Sequence, residues 1–270
     1  METKNFLTYE EAKERADDCY WHSEGVYEYK KDGKWTLIEN GNVLVEGADD
    51  CYRHSEGVYE YKKDGEWTLI ENGKVLVEGV ENCYRYSEGV YEYKKDGKYT
   101  LIENGKVLVE GAENCWWYSE GVYRYRKDGK YTLIQKGKIL VEGVDYCWWY
   151  SEGVYEYKKD GKYTLIENGK VLVEGVDYCC WYSEGVYKYE KDGKHTLIEN
   201  GKVLVEGVDY CYWFSEGVYK YEKDGEWTLI ENDKVLVEGA ENCYRYSEGV
   251  YEYKKDGKYT KINKKENNGN

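Results

Sequence analysis

Nine cysteines, three histidines and a recurring set of aromatic and arginine side chains are the residues whose chemistry could go beyond packing. The cysteines stand at 19, 51, 83, 115, 147, 179, 180, 211 and 243, so all but Cys180 follow one another at one constant spacing. A metal site needs sulfurs within about 4 Å of each other, while sheets stacked face to face hold equivalent residues about 10 Å apart. Cys179 and Cys180 adjoin in sequence, but consecutive strand residues point to opposite faces. Packing as reduced thiols is the reading that follows, with no metal, and it predicts a cytoplasmic protein. His22, His54 and His195 occupy positions that are tyrosine, tryptophan or phenylalanine in other copies of the repeat. No copy gathers a nucleophile, a base and an orienting group, which predicts no enzyme activity and no cofactor.

The two residues after each cysteine vary most, and they stay mainly aromatic or arginine. They supply the candidate partner-binding residues Trp21, Arg53, Arg85, Trp116, Trp117, Trp148, Trp149, Trp181, Trp213 and Arg245. These residue types dominate binding hot spots because they offer a large contact area with few rotors to freeze. The competing use is packing between units. One copy adds Arg124 and Arg126 where its sisters carry an acid and a lysine, or the reverse, and Gln135-Lys136 where they carry Glu-Asn. A cationic spot beside Trp116 and Trp117 could hold an anionic or planar group. Drift of a solvated face is the bland alternative.

Positioning these side chains requires a repeating scaffold. Ser-Glu-Gly recurs at 23, 55, 87, 119, 151, 183, 215 and 247, a strict period that matches the cysteine spacing. In the copy beginning at Cys147, Asp160-Gly161 and Asn168-Gly169 are two-residue hairpin turns, and Ser151-Glu152-Gly153 is a third break. Four strands follow: 147–150, 154–158, 162–166 and 171–174. Apolar residues fall on both faces of the third and fourth, so neighbouring units must cover both. In the second strand Glu156 and Lys158 share a face and read as an exposed neutral pair.

The fold class expected is therefore all-β, a tandem array of eight four-stranded antiparallel units forming one domain over residues 19–262. An eight-bladed β-propeller is the first expectation, and an open β-solenoid or superhelix with an N-terminal capping helix is the alternative. Residues 1–18 hold the closing strand or the cap. Thr8-Tyr9-Glu10-Glu11 has the capping-box spacing for a helix from Tyr9 to Ala16, and Lys4 to Thr8 resembles a fourth strand. The last unit stops after its third strand, and residues 263–270 are expected to be a disordered tail.

At Tyr150-Ser151-Glu152-Gly153-Val154, Asp160-Gly161-Lys162-Tyr163-Thr164 and Gly33-Lys34-Trp35, the unit resembles the bacterial WG (KWG) β-repeat family over about residues 19–262. Thr36 stands where that family has its glycine, tryptophan gives way to tyrosine in four units and to His195 in one, and proline is absent. The resemblance implies an interaction scaffold without shared catalytic residues.

The charge narrows the partners. Net charge is −15, from 39 basic and 54 acidic residues, which argues against direct nucleic-acid binding by phosphate neutralisation. Only the fourth unit, with six basic and four acidic residues, and the last, with seven and four, are locally positive. No apolar run nears the roughly 18 residues that span a bilayer, and the start of the chain lacks the pattern of an export signal, so a soluble, unexported chain is expected. The leading functional expectation is a scaffold for protein–protein interaction. A multivalent carbohydrate-binding module and an acidic inhibitor of a nucleic-acid-binding protein are the alternatives.

Overall fold

A computed structural model describes residues 6–263. The chain enters through helix α1 (Tyr9–Arg15), which starts where the capping box puts it. The Glu11 amide donates to Thr8 Oγ1, and the Glu11 carboxylate accepts from the Thr8 amide at 2.9 Å. The helix ends one residue before the expected Ala16, which is extended.

Everything after it is antiparallel sheet. The first unit folds as β1 (Asp18–Ser23), β2 (Val26–Lys31), β3 (Lys34–Glu39) and β4 (Asn42–Ala48), and the second as β5 (Asp50–Ser55), β6 (Val58–Lys63), β7 (Glu66–Glu71) and β8 (Lys74–Val80). Among the described residues there are seven such four-stranded meanders and one three-stranded sheet. The Asp-Gly and Asn-Gly pairs make the turns because both residues take positive φ, as at Asp32 (51°) and Gly33 (75°). The Ser-Glu-Gly glycine has a different reason to recur. A Cβ on Gly25 would come within 2.8 Å of Asn40 Oδ1, and the Gly25 carbonyl accepts the Asn40 amide at 2.8 Å.

By contacts the chain divides into two compact units, Met1–Gly129 with Ile134–Lys138, and Lys130–Leu133 with Ile139–Asn270. The strands of the fourth repeat are shared between them. Within each unit the sheets follow one rule, set by the alternation of side chains along a strand. In the second repeat Cys51, Arg53, Tyr59, Tyr61 and Ile70 share one face, while Tyr52, Glu60, Trp67, Leu69 and Val77 share the other. Cys51, Tyr59 and Ile70 pack on Leu37, Val45 and Ala48 of the preceding sheet. Leu69, Val77 and Val80 pack on Cys83, Tyr91 and Ile102 of the following one. The second unit repeats this with Leu197 and Val208 against Cys211, Tyr219 and Ile230. Each fully buried leucine contributes roughly 1.5–3 kcal/mol.

Successive sheets are offset. β3 and β4 contact β5 and β6, so half of each sheet faces backward and the other half forward. Two apolar rows are left uncovered by this offset. One is the residue after each cysteine on the first strand, and the other is the valine or isoleucine near the start of the fourth strand, from Val43 to Val235.

The two end sheets are finished differently. The backward face of the first sheet is covered by α1 and its lead-in, where Ala12, Phe6, Leu7 and Tyr9 pack on Tyr27, Tyr29 and Ile38. Phe6–Thr8 is not a strand: Tyr27 donates its hydroxyl to the Leu7 carbonyl at 2.7 Å. Lys4 and Asn5 lie outside the described residues. The last sheet has three strands, Asn242–Ser247, Val250–Lys255 and Lys258–Asn263. Asn263, placed by the sequence pattern in a tail, closes the last strand, and residues 264–270 lie outside the described residues. On its forward face Lys261 is exposed where Leu37, Leu69 and their equivalents up to Leu229 are fully buried. No helix among the described residues is long and apolar enough to cross a membrane.

Candidate binding surface

The two residues after each cysteine point to opposite faces of the first strand, and the structure gives them opposite surroundings. The nearer residue is on the uncovered half of the forward face. Tyr20, Tyr52, Tyr84, Trp148, Tyr212 and Tyr244 are 39–57% exposed. Tyr20 and Tyr52 lie stacked on Trp35 and Trp67 with centroids 5.7 and 5.8 Å apart, and Lys30 and Lys62 approach the same indoles. Tyr52 donates its hydroxyl to Asp50 at 3.1 Å. These rings are held by sheet neighbours while one side stays open to solvent. Trp116 and Cys180 hold the same position and are half-buried.

The farther residue shares a face with the cysteine and reaches back to the preceding repeat. There it meets the glutamate that opens the preceding Glu-Asn-Gly turn. Trp117, Trp181 and Trp213 donate Nε1–H to Glu103, Glu167 and Glu199 at 3.2, 3.1 and 2.8 Å. Arg53 and Arg85 place a guanidinium NH2 3.5 Å from Glu39 and Glu71. The exchange of tryptophan for arginine follows from this geometry, since both are long side chains ending in a planar group whose N–H reaches the same glutamate. At the tryptophan junctions the same glutamate accepts the glycine amide of the next Ser-Glu-Gly: Gly121 to Glu103 at 3.0 Å and Gly185 to Glu167 at 3.1 Å. Trp149 and Arg245 are half-buried too, with Arg245 5.9 Å from the Phe214 ring. Trp21, on the first strand, is 58% exposed.

Behind the exposed row runs a column of buried charges that the sequence pattern presents as an exposed pair. Glu28, Glu156, Arg124 and Lys188 are all buried, because the first member of each pair faces the next sheet. The glutamates take hydroxyls from their own sheet and thiols from the next. Tyr150 donates to Glu156 at 2.8 Å, and Cys179 donates its S–H to Glu156 at 3.4 Å. Tyr86 and Cys115 meet Glu92 at 2.9 and 3.0 Å in the same way. Burial holds Glu28 and Glu156 above the ordinary carboxylate range. Where lysine replaces the acid it turns to a carbonyl: Lys220 donates to the Cys243 carbonyl at 2.7 Å and lies 4.2 Å from the Trp227 ring. The thiols record this difference. Burial raises the thiols of Cys83, Cys115, Cys211 and Cys243, but Cys211 and Cys243, beside Lys188 and Lys220, rise only to about 11, whereas Cys83 and Cys115, beside glutamates, rise further.

The description "WG containing repeat" belongs to the family model that matches residues 71–99. Residues 71–99 are similar to that repeat. Its match spans the Glu-Asn-Gly turn, the cysteine strand and the Gly-Lys-Tyr turn, the segment that carries the junction just described. No curated protein matches the chain in sequence. Among solved structures, the computationally designed Ika8 protein aligns at 14% identity over 90% of this chain and 94% of its own, with a TM-score of 0.28. The WD40 β-propeller domain of Doa1 aligns at 13% identity over 80% and 92%, TM-score 0.26, and Kluyveromyces lactis Hsv2p at 8% over 80% and 92%, TM-score 0.30. At these TM-scores the arrangement of the sheets rests on the chain's own contacts.

The fourth repeat departs from its sisters. Arg124 is 6% exposed, with its guanidinium carbon 4.2 Å from the Trp116 ring centre, so it is a stacked, buried cation and not a surface one. Arg126 is exposed, with its Nε 3.4 Å from Glu113. The two arginines therefore do not form one surface spot. Sequence reasoning also missed the junction glutamates. Their signal was available, because a Glu-Asn pair precedes most turn glycines at a fixed distance before the variable Trp or Arg.

Proposed function

We propose that the chain is a non-catalytic binding scaffold that holds a protein partner through the aromatic row next to its cysteines. The observation carrying this reading is the repeated exposure of Tyr20, Tyr52, Tyr84, Trp148, Tyr212 and Tyr244, a large ring at one and the same strand position in six of the repeats. Rings pre-set by stacking on a neighbour lose little entropy on contact, which favours binding. The farther row supports the scaffold by joining repeats, and contributes to the surface chiefly at Trp21.

The binding reading is tested by replacing the six exposed rings with serine. The variant is expected to keep the wild-type circular dichroism spectrum and melting temperature while losing a partner that wild type retains on a column. Retention by both proteins would contradict the reading. A glycan-array signal that the same variant loses would assign the row to carbohydrate instead.

A further inference from the structure

Two junctions between repeats carry an equivalent notch. In the first unit a cavity of about 380 Å³ is walled by Glu88, Glu103, Asn104 and Glu120 around Trp117. In the second unit one of about 430 Å³ is walled by Glu152, Glu167, Asn168 and Glu184 around Trp181. Each residue of the second set lies two repeats after its counterpart in the first, so this is one built feature occurring twice. Each notch offers three carboxylates and an indole, and no lysine or arginine lines either one. Glu88, Glu120, Glu152 and Glu184 are exposed, and the central Glu103 and Glu167 are fixed by the indole and glycine N–H groups.

An independent observation identifies the chemistry that suits this place. At the sister junctions the chain supplies its own cation: the guanidinium groups of Arg53 and Arg85 sit 3.5 Å from Glu39 and Glu71, the equivalents of Glu103 and Glu167. Where tryptophan replaces arginine, that positive charge is gone, the carboxylates remain and an aromatic ring takes its place. Carboxylates around an indole select a cation, by charge and by cation–π attraction together. The surrounding charge of −15 draws cations to the surface.

We propose that the notches at Trp117 and Trp181 each receive an arginine or lysine side chain from a basic segment of a partner protein. The proposal names the partner chemistry of the binding scaffold and so rests on that reading. The two can fail separately, because the six-ring serine variant leaves both notches intact. Glu103 and Glu120 also border a cavity of about 750 Å³ that Lys106 and Lys136 line, and those lysines reduce the local negative potential.

The test uses a fluorescein-labelled glycine-serine peptide with four interspersed arginines, and the same peptide with citrulline, which keeps the shape and removes the charge. Anisotropy titrations of the full chain should show binding of the arginine peptide only. Combining E88Q, E120Q, E152Q and E184Q should weaken it about tenfold or more, while the charge-matched set E78Q, E110Q, E206Q and E238Q, exposed on fourth strands, should change it less than about twofold. W117R with W181R, which restores the chain's own cation, should also weaken binding about tenfold. Equal losses from both glutamine sets would reduce the effect to diffuse charge and overturn the proposal, as would binding of the citrulline peptide. Should the arginine double variant fail to fold, the comparison of the two glutamine sets still decides, since all eight glutamates are exposed.

Discussion

Tyr212 and Trp213 are neighbours on one strand, yet the first stands 42% exposed and the second donates a 2.8 Å hydrogen bond to the preceding repeat. The same holds for Tyr52 beside Arg53 and Tyr84 beside Arg85. Strand alternation sends the two side chains to opposite faces, and the offset stacking covers one face there and not the other. Residue type alone does not separate contact with a partner from contact with a neighbour, because both positions draw on the same aromatic residues. Face and offset do separate them.

The largest effect should come from emptying the covered position. Trp181→Ala removes an indole that packs on the buried cluster containing Leu165 and Tyr187 and lies 5.5 Å from the Tyr150 ring, together with its bond to Glu167, and should cost about 2–3 kcal/mol in denaturant unfolding, below the fully buried range because Trp181 is only half-buried. Tyr212→Ala, on the uncovered side, should stay within about 0.5 kcal/mol. Equal costs at the two positions would erase the distinction. Next in size is the acceptor. Glu167→Ala leaves the Trp181 indole N–H and the Gly185 amide without their acceptor, and should cost about 1–2 kcal/mol, with faster amide exchange at Gly185.

The repeat, its four strands, both Gly turns and the capping helix were legible because each depends on local chemistry. Asn-Gly and Asp-Gly demand positive φ, and Thr8 with Glu11 forms its cap within one turn. The closing strand from Lys4 to Thr8 rests on a likeness to Val171-Leu172-Val173, but Phe6 and Leu7 instead pack on Tyr27 and Tyr29, where an apolar face lacked a cover. The Glu156/Lys158 pair reads as exposed because two charges on one face suggest solvent. Its acid lies under the next sheet, and no period within one repeat reports the offset between sheets. The polar finish at Lys261 is visible as a break in an otherwise unvarying leucine, but its meaning depends on knowing that this face is buried elsewhere.

The buried column offers a smaller and pH-dependent test. Burial raises Glu156 above the ordinary glutamate value near 4.5. Its stabilising share is therefore complete below that value, where the carboxyl is neutral both folded and unfolded, and is lost as pH rises through the folded pKa. E156Q keeps a neutral partner for Tyr150 and Cys179, so it should gain on wild type as pH rises from about 4.5 toward neutrality. A constant difference over that range would mean that Glu156 is not held against its ionised form.

The smallest effect should come from exchanging the two donors that the chain itself exchanges. Trp181→Arg places a planar guanidinium where Arg53 and Arg85 already sit against the equivalent glutamates, so the bond to Glu167 is replaced and not lost. Less apolar contact with the neighbouring cluster costs some stability, and a charged hydrogen bond restores part of it, leaving a net change below about 1 kcal/mol. Trp181→Lys is the sharper half of the experiment. An ammonium is a compact, strongly hydrated charge that cannot lay a flat group along the sheet, so it should cost more than arginine despite carrying the same charge. If arginine and lysine prove equal, the junction responds to charge alone; if arginine is clearly better, it responds to a planar donor, which is what indole and guanidinium have in common.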